Sequence, residues 1–383
     1  MTVPRLRDAR SLVAALCAAL VLAACSGSPR PKPTPLEPLT PQIGGRLVWS
    51  QKVDSVQFPL LIAVNETASS GGVFTVAGTD GTVLALQADT GRELWRGTVG
   101  ERLSAGVGSD GRFAAVVTRD NELVTLEAGR IAWRARLGAH VSTAPLVAGE
   151  RVFVMSVDRV VQAFDAIDGR KLWTFQRPSE PLTLAKAGIL AAYQDTLLAG
   201  QGPRLVGIDP LRGSLRWEVA VAAPRGTNEV ERLADLLAPL VRIGGQTMCA
   251  RAFQNAVGCV GAERGTLVWT RNVGGTEGVG GDAELIVGAD GTDRVTAWRA
   301  ATGDVAWTND KLLYRNLSAP LVVGRTAIFG DSEGNLHFLA REDGHLLLRL
   351  TTDGSAIVAP PALSGKTVLV ATRNGGLFAF RPE

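Results

Sequence analysis

The side chains that most often carry out catalysis are few in this sequence and far apart. Its three histidines are His140, His337 and His345, and their spacing relative to serine and aspartate predicts no nucleophilic triad. The aspartates stand mostly at turn-forming positions, without the regular offsets of a calcium-binding loop. These patterns predict a protein with no catalytic residue, no metal site and no bound cofactor.

Two glycine-rich stretches have the composition of phosphate-binding loops. Residues 106–111 match GxGxxG, but strand-forming residues at 113–117 follow where a dinucleotide site requires a helix. Residues 274–281 (GGTEGVGG) are not followed by the Lys-Ser/Thr pair of a P-loop. Both stretches are therefore predicted to be turns.

Two cysteines are placed where they can pair. Cys249 and Cys259 lie ten residues apart on either side of Gln254-Asn255. If that pair forms a hairpin turn, the two cysteines lie opposite each other on adjacent strands, and a disulfide is predicted in an oxidising compartment. Two buried free thiols are the alternative. No CxxC motif indicates a redox or zinc site.

The N-terminus is typical of a secreted lipoprotein. A basic stretch precedes an apolar run at residues 11–24, which is too short for a transmembrane helix and predicts a signal peptide. The run ends in Leu22-Ala23-Ala24-Cys25, which resembles the lipobox of bacterial lipoproteins and implies cleavage before a lipidated Cys25. Ser26, in place of aspartate, permits sorting to the outer membrane. An ordinary signal peptide with a chance cysteine is the alternative.

A proline-rich segment follows the lipobox. Its composition at residues 25–41 predicts an extended, semi-rigid tether, and no later stretch is apolar and long enough to span a membrane. The chain is thus divided into a signal peptide (1–24), a lipidated tether (25–41) and a body (42–383). The formal net charge is +3, of which residues 1–24 contribute +2. A body this close to neutrality argues against nucleic acid as a partner.

One pattern recurs through the body. Two short strand-forming runs lead to a glycine, and a tryptophan follows four residues later, as in Gly91/Trp95 and Gly169/Trp173. The seven glycines of this pattern step by 38 to 52 residues, which is the period of a four-stranded propeller blade. The longest step contains an insertion, which we place at residues 222–237. The glycines are Gly91, Gly129, Gly169, Gly213, Gly265, Gly303 and Gly344, and the last copy has lost its tryptophan, since Leu348 stands in its place.

Hairpin turns give an independent count of the blades. Eight dipeptides suited to tight turns separate strand-forming runs, whereas only seven glycine-containing units follow them. Gly45 to Trp49 has the form of the missing outer strand. The sequence therefore predicts an all-β, eight-bladed propeller of four-stranded antiparallel blades, closed by its N-terminal strand. The turns are Asp80-Gly81, Asp120-Asn121, Val157-Asp158, Gly202-Pro203, Gln254-Asn255, Asp290-Gly291, Ser332-Glu333 and Asn374-Gly375.

The tryptophan-bearing repeat resembles that of the pyrroloquinoline-quinone (PQQ) dehydrogenases, which are eight-bladed periplasmic enzymes. Those enzymes hold the quinone against two adjacent cysteines, and this sequence has no such pair. A PQQ-dependent dehydrogenase-like enzyme is nevertheless the alternative function. A lipoprotein that binds sugar or peptide at the funnel mouth is a third, although no aromatic cluster supports it.

The lipobox, the tether and the eight repeats together resemble the BamB family, the propeller lipoproteins of the outer-membrane β-barrel assembly machinery (BAM complex). The resemblance covers residues 20–383 and is sharpest at 311–320 and 330–338. It implies a non-enzymatic scaffold that faces the periplasm from the outer membrane and acts as a monomer within a complex. Its implied partners are the POTRA domains of BamA, other BAM subunits and unfolded outer-membrane proteins.

The resemblance also implies a partner-binding patch in two segments. The first falls on Leu182 to Ala185, where Ala185 replaces the family's arginine and Lys186 is its neighbour. The second falls on residues 232–237, where Leu237 replaces the second of two family aspartates. Exposed leucines beside charged residues suit an interface centre with a polar rim, although both leucines of the first segment are alternatively core residues. The implied contact residues are Leu182, Leu184, Lys186, Arg232, Leu233 and Asp235.

Overall fold

The fold is described from a computed structural model, which covers residues 31–57, 62–67, 71–177 and 182–382. Thirty-two strands and no helix occur in these ranges, and none of their segments is a helix able to cross a membrane. The compact body spans Thr34–Glu383. Residues 31–33, which precede it, have no regular secondary structure. The signal peptide and Cys25 lie outside the described residues.

The strands form eight four-stranded antiparallel sheets, so the predicted eight-bladed propeller is confirmed. Strand β1 (Gly45–Lys52) belongs to the last blade. Blades 1 to 4 are β2 (Ala63–Thr67), β3 (Gly71–Ala77), β4 (Thr82–Gln87), β5 (Glu93–Thr98); β6 (Gly108–Ser109), β7 (Phe113–Val117), β8 (Glu122–Glu127), β9 (Arg130–Arg136); β10 (Leu146–Ala148), β11 (Arg151–Met155), β12 (Val161–Asp165), β13 (Lys171–Phe175); and β14 (Leu190–Tyr193), β15 (Thr196–Gln201), β16 (Arg204–Ile208), β17 (Leu215–Ala220).

The remaining blades repeat this arrangement, and the strands of blades 1 to 7 are in chain order from the centre outwards. Blades 5 to 8 are β18 (Leu236–Ile243), β19 (Thr247–Ala252), β20 (Ala256–Gly261), β21 (Thr266–Arg271); β22 (Gly280–Gly281), β23 (Leu285–Ala289), β24 (Val295–Arg299), β25 (Val305–Asn309); β26 (Leu321–Val323), β27 (Thr326–Gly330), β28 (Asn335–Ala340), β29 (Leu346–Thr351); and β30 (Ala362–Ser364), β31 (Thr367–Ala371), β32 (Gly376–Pro382) with β1.

The ring closes through its two chain ends. Strand β1 pairs antiparallel with β32, and Trp49 lies opposite Ala379. The last blade therefore has the order β1-β32-β31-β30, and its outer strand comes from the N-terminal side of the chain. The predicted closure by the N-terminal strand is confirmed, and it joins the first and last blades without a seam.

Tryptophan and glycine recur together because they touch across the blade boundaries. Trp49 of blade 8 packs on Gly91 of blade 1, where an added Cβ would lie 2.5 Å from the indole ring. Gly91 has a φ of +67°, which also favours glycine. The Trp49 Nε1–H donates to the Ala88 carbonyl at 2.8 Å. The same glycine contact recurs for Trp133/Gly169, Trp173/Gly213, Trp217/Gly265, Trp269/Gly303 and Trp307/Gly344.

The core lies between the blades. The second and third strands of a blade are buried on both faces because each face packs against a neighbouring blade; every residue of β7 is buried, for example. The outer strands are half exposed, as in β5. This explains why the inner runs are continuously apolar, in Val, Leu, Ile and Ala, and do not alternate with polar residues.

The antiparallel order gives the propeller two distinct ends. The turn between the second and third strands of a blade lies at the same end as the loop to the next blade, and we call this end the upper face and the opposite end the lower face. Backbone bonds join these turns and loops: the Phe253 N–H, in the turn between β19 and β20, donates to the Asp235 carbonyl, in the loop from blade 4 to blade 5, at 2.9 Å. The insertion predicted at 222–237 lies on the upper face, but its last two residues, Leu236 and Leu237, belong to strand β18.

The two central cysteines face each other in blade 5. Cys249 in β19 is the register partner of Cys259 in β20. Both are fully buried, and their sulfur atoms are bonded in the structure. Oxidation of this pair in the cell stays a prediction.

Candidate partner-docking surface

The two segments of the implied patch come together on the upper face. Residues 182–186 lie in the loop from blade 3 to blade 4, and residues 232–235 lie in the loop from blade 4 to blade 5. The Leu184 N–H donates to Oδ2 of Asp235 at 2.9 Å. One carboxylate therefore fixes the position of the first segment against the second, and we call the two together the docking surface.

An arginine that sequence reasoning missed completes this connection. Arg159, in the turn between β11 and β12 of blade 3, donates through Nη2 to Oδ1 of Asp235 at 2.9 Å and to the Leu182 carbonyl at 3.1 Å. The Arg159 and Asp235 side chains are only 10% and 15% exposed. Arg159 also has a φ of +62°, uncommon outside glycine. Its only sequence signal is a basic residue beside the predicted turn Val157-Asp158.

The apolar residues of the docking surface differ in exposure. Leu182 is 39% exposed, and Leu184 and Leu233 are half-buried. Leu182 is therefore not an ordinary core residue, whereas Leu184 divides its surface between the body and solvent. Val230, just before the second segment, is 70% exposed and extends the apolar area.

Lys186 connects two loops of the upper face. Its Nζ donates to the Thr276 carbonyl at 2.7 Å and pairs with the Glu277 carboxylate, both in the loop from blade 5 to blade 6. Its backbone carbonyl accepts the Ser142 hydroxyl at 3.1 Å. Lys186 thus braces the surface with a charge already paired within the chain. Ala185, at the position of the family's arginine, is exposed.

The second segment places its residues in different environments. The Arg232 N–H donates to the Asn228 carbonyl at 3.2 Å, and the Arg232 side chain is half-buried. Leu237, at the position of the second family aspartate, is 2% exposed and bridges Gly188 in the neighbouring loop. Leu237 is therefore a core residue in this structure.

A cavity of about 840 Å³ opens beside the docking surface at the propeller axis. Lys186 and Glu277 line its near side, and Asn316, Ser332 and Arg373 line other parts of it. No cluster of three or more His, Cys, Asp and Glu side chains in the described ranges has the geometry to hold a metal ion. The lining combines charged, short polar and aliphatic side chains.

A buried cation lies under the neighbouring loop. Arg251 is fully buried and donates through Nη1 to the Val273 carbonyl at 2.9 Å. Burial lowers the pKa of Arg251 to about 10, and the negative charges of Asp290 and Glu277 oppose that shift. Arg251 therefore remains charged at neutral pH and contributes positive potential beneath this part of the upper face.

Comparisons with known proteins agree on one family. A family model described as "Outer membrane protein assembly factor BamB" matches residues 79–309. A protein of that name from Burkholderia pseudomallei is 37% identical over 376 residues, 97% of either chain, and one from Bordetella pertussis is 35% identical over 370 residues, 94% of either chain.

Solved structures share the fold. The crystal structure of BamB from Moraxella catarrhalis superimposes with a TM-score of 0.78 at 21% identity, and the match covers 88% of this chain and all of that one. A quinohemoprotein alcohol dehydrogenase from Comamonas testosteroni superimposes with a TM-score of 0.63 at 14% identity, over 88% of this chain and 76% of that one. The second match reflects the propeller fold alone.

Proposed function

The chain belongs to the BamB family of outer membrane protein assembly factors, and on this premise we propose that it is a non-enzymatic scaffold lipoprotein of the β-barrel assembly machinery. It is lipidated at Cys25, faces the periplasm from the outer membrane, and docks the POTRA domains of BamA through the upper face of its propeller. In that position it assists the folding and insertion of outer-membrane β-barrel proteins.

The observation that carries the proposal is the link through Asp235. The two segments that the family resemblance marks for partner binding are separate in sequence, yet the Asp235 carboxylate of the second accepts the Leu184 N–H of the first, and Arg159 of blade 3 donates to the same carboxylate. A preorganised surface loses less conformational entropy on binding. Exposed Leu182 and Val230 supply the apolar centre, and charged groups surround them.

Client proteins have a different candidate site. Among the described residues, no further strand pairs with the outer strand of a blade, and most of these outer strands carry at least one exposed apolar side chain. This arrangement suits the addition of an extended segment as a further strand. The strand-forming segments of outer-membrane β-barrel proteins alternate apolar and polar residues, so their apolar side chains would lie against those of the outer strand. The exposed side chains are Leu47, Leu94, Ile131, Leu215, Leu267, Val268 and Val305.

We propose the same division of the chain as the sequence suggests, with one refinement. Residues 1–24 are the signal peptide, residues 25–41 the lipidated tether and residues 42–383 the propeller. The compact body itself begins at Thr34, so the second half of the tether packs as part of the body.

Co-purification tests the proposal directly. The full-length lipoprotein, extracted with detergent from cell envelopes, is expected to bring BamA with it, and Leu182→Ser is expected to reduce that capture about tenfold without changing Tm. Ile167→Ser is the matched control, because Ile167 is 60% exposed on the lower face. Wild-type protein that captures no barrel-assembly subunit contradicts the proposal.

An enzyme assay addresses the alternative dehydrogenase activity. Purified protein incubated with PQQ and calcium is expected to show neither quinone absorbance after gel filtration nor dye-linked oxidation of alcohols. Stoichiometric retention of the quinone with turnover would favour the enzyme over the scaffold.

A further inference from the structure

The N-terminal part of the body, residues 34–42, runs along the outer edge of blade 7, and we call it the strap. At its upper end the Thr34 N–H donates to the Leu313 carbonyl at 2.9 Å. At its lower end the Gln42 N–H donates to the Leu347 carbonyl at 2.8 Å. The strap is thus bonded to the propeller at both ends.

Apolar and charged contacts hold the strap between those ends. Leu36 packs against the core cluster that includes Trp307 and Leu312, between blades 6 and 7. The Glu37 carboxylate pairs with Lys311 at 3.0 Å, and the Glu37 carbonyl accepts from Arg349 at 3.2 Å. Because Leu36 fills part of a blade boundary, releasing the strap exposes apolar surface.

Arg315 fastens the upper end from inside the protein. Its side chain is 2% exposed, and its Nη1 donates to the Thr34 carbonyl at 2.9 Å. Its Nε donates to Asp331 at 2.8 Å, and Nη2 pairs with Glu333. A buried guanidinium whose donors are used in three directions has little freedom to move, so the Thr34 carbonyl is held by a rigid group.

The partner of Arg315 is itself held rigidly. Asp331 is fully buried and accepts bonds from the Asn335 N–H at 2.8 Å, the Asn335 side chain at 3.0 Å and His337 Nε2 at 3.0 Å. These contacts extend from the upper turn of blade 7 into strand β28. Residues of blade 7 therefore hold Arg315 in place, and Arg315 in turn holds the Thr34 carbonyl of the strap.

The strap determines where the preceding chain leaves the body. Thr34 lies at the upper face, beside the loop from blade 6 to blade 7, and Gln42 lies at the lower end of β29. We propose that the strap fixes the exit point of the lipid-bearing segment at the upper face of blades 6 and 7, so that this face, which also bears the docking surface, is held towards the membrane.

The number of residues between Cys25 and the strap sets the greatest distance that this segment can span. From Cys25 to Thr34 the chain advances nine residues, a reach of about 30 Å when fully extended. A chain free as far as Gln42 would advance 17 residues and reach about 55–60 Å. The strap therefore halves the tether. This inference rests on the proposed lipidation of Cys25.

Fluorescence quenching by the membrane tests the orientation. The native lipoprotein is reconstituted in vesicles of phosphatidylethanolamine and phosphatidylglycerol that contain a rhodamine-labelled lipid as acceptor. A donor dye is attached through Thr292→Cys, an exposed site in the upper turn of blade 6, or through Glu342→Cys, an exposed site in the lower turn of blade 7. We expect quenching at least twofold stronger from the upper site. Equal quenching, or stronger quenching from the lower site, overturns the proposal.

A variant of the strap tests whether the strap is what orients the body relative to the membrane. Leu36→Asp is expected to release the strap, to raise amide hydrogen exchange at Thr34 and Gln42 at least tenfold, and to bring the quenching at the two sites close together. Thr40→Asp is the matched control, because it adds the same charge at an exposed strap position. An unchanged quenching difference after release of the strap contradicts the proposal.

A second variant and a separate readout keep the test independent of folding and of the proposed function. Arg315→Lys retains a charge beside Asp331 but lacks the fork that also reaches Thr34, so a smaller loss of the quenching difference is expected while the near-UV circular dichroism of the body is unchanged. Vesicle flotation reports lipidation separately: protein that does not float has lost its anchor, and that result contradicts the proposed lipidation and not the strap.

Discussion

The carboxylate of Asp235, in the loop between blades 4 and 5, accepts the backbone N–H of Leu184, in the loop between blades 3 and 4, at 2.9 Å. Its other oxygen accepts Arg159 from the turn of blade 3. Asp235 is thus a positioning residue in our proposal, since both of its oxygens are occupied within the chain. Its contribution to partner binding comes from the loop that it holds.

Removing that carboxylate is expected to loosen the docking surface. Asp235→Ala leaves the guanidinium of Arg159 and the N–H of Leu184 without their acceptor, at a cost of about 1–3 kcal/mol. We expect a Tm a few degrees lower, faster amide exchange at residues 184–188, and affinity for the BamA POTRA domains reduced about tenfold, measured by titration calorimetry.

Two controls distinguish positioning from direct contact. Asp168→Ala removes a carboxylate that is 58% exposed on the lower face, and it is expected to change neither exchange nor affinity. Arg159→Ala is expected to reproduce the effect of Asp235→Ala, and the double variant to add little, because both residues act in one network. A full loss of affinity in Asp235→Ala with unchanged loop exchange would mean that Asp235 contacts the partner directly.

Variants at Lys186 test whether this lysine stabilises the loop or contacts the partner directly. Because its ammonium is paired with Glu277, Lys186→Ala and Glu277→Ala are expected to weaken POTRA binding by similar factors of about two to five. The double variant should lose no more than either single one. If Glu277→Ala binds normally or more tightly while Lys186→Ala binds weakly, the lysine acts on the partner and not on the loop.

Much of the fold was predictable because its cause recurs in every blade. The glycine and tryptophan pairs repeat because each pair seals one boundary, and Gly45 to Trp49 has the same spacing because it forms the outer strand of the last blade. The spacing of the repeat and the number of hairpin turns therefore predict the ring, its strand number and its closure.

Single contacts between distant residues were not predictable. Arg159 and Asp235 are 76 residues apart, and Arg315 and Thr34 are 281 apart. The prolines before Thr40 predict an extended chain but do not indicate what it lies against. The environments of the exposed Leu182 and the buried Leu237 were unpredictable for the same reason, because no local sequence pattern distinguishes the two leucines.

The buried histidine of blade 7 predicts a pH dependence of stability. Burial lowers the pKa of His337, the bond to Asp331 opposes that shift, and Arg349 and Arg315 reinforce it. Its Nε2 lies 3.0 Å from Asp331, and its Nδ1 is buried without a hydrogen-bond partner, so a second proton would add an unpaired donor. The unfolded chain therefore takes up a proton first as the pH falls through about 6.5. Stability is present above that pH and is lost below it.

The expected loss is on the order of 1 kcal/mol between pH 7.5 and pH 5, measured by chemical denaturation. His337→Gln keeps a donor for Asp331 but does not titrate, so its stability should vary less over this range. Equal slopes in the two proteins would exclude His337 as the titrating group.

The cysteine pair of blade 5 gives the last prediction. Cys249 and Cys259 are register partners on β19 and β20, and they close a loop of about ten residues. Cross-linking a loop of this size stabilises a protein by about 3 kcal/mol in the chain-entropy model. Protein purified from the envelope without reductant is expected to have a mass 2 Da below that of its reduced form, and the variant Cys249→Ala/Cys259→Ala is expected to unfold at a Tm several degrees lower. Reductant should lower the Tm of the wild type towards that of the variant and leave the variant unchanged. Free thiols in the untreated protein, detected by alkylation under denaturing conditions, would show that the packing of two buried sulfhydryls, and not a bond, stabilises this hairpin.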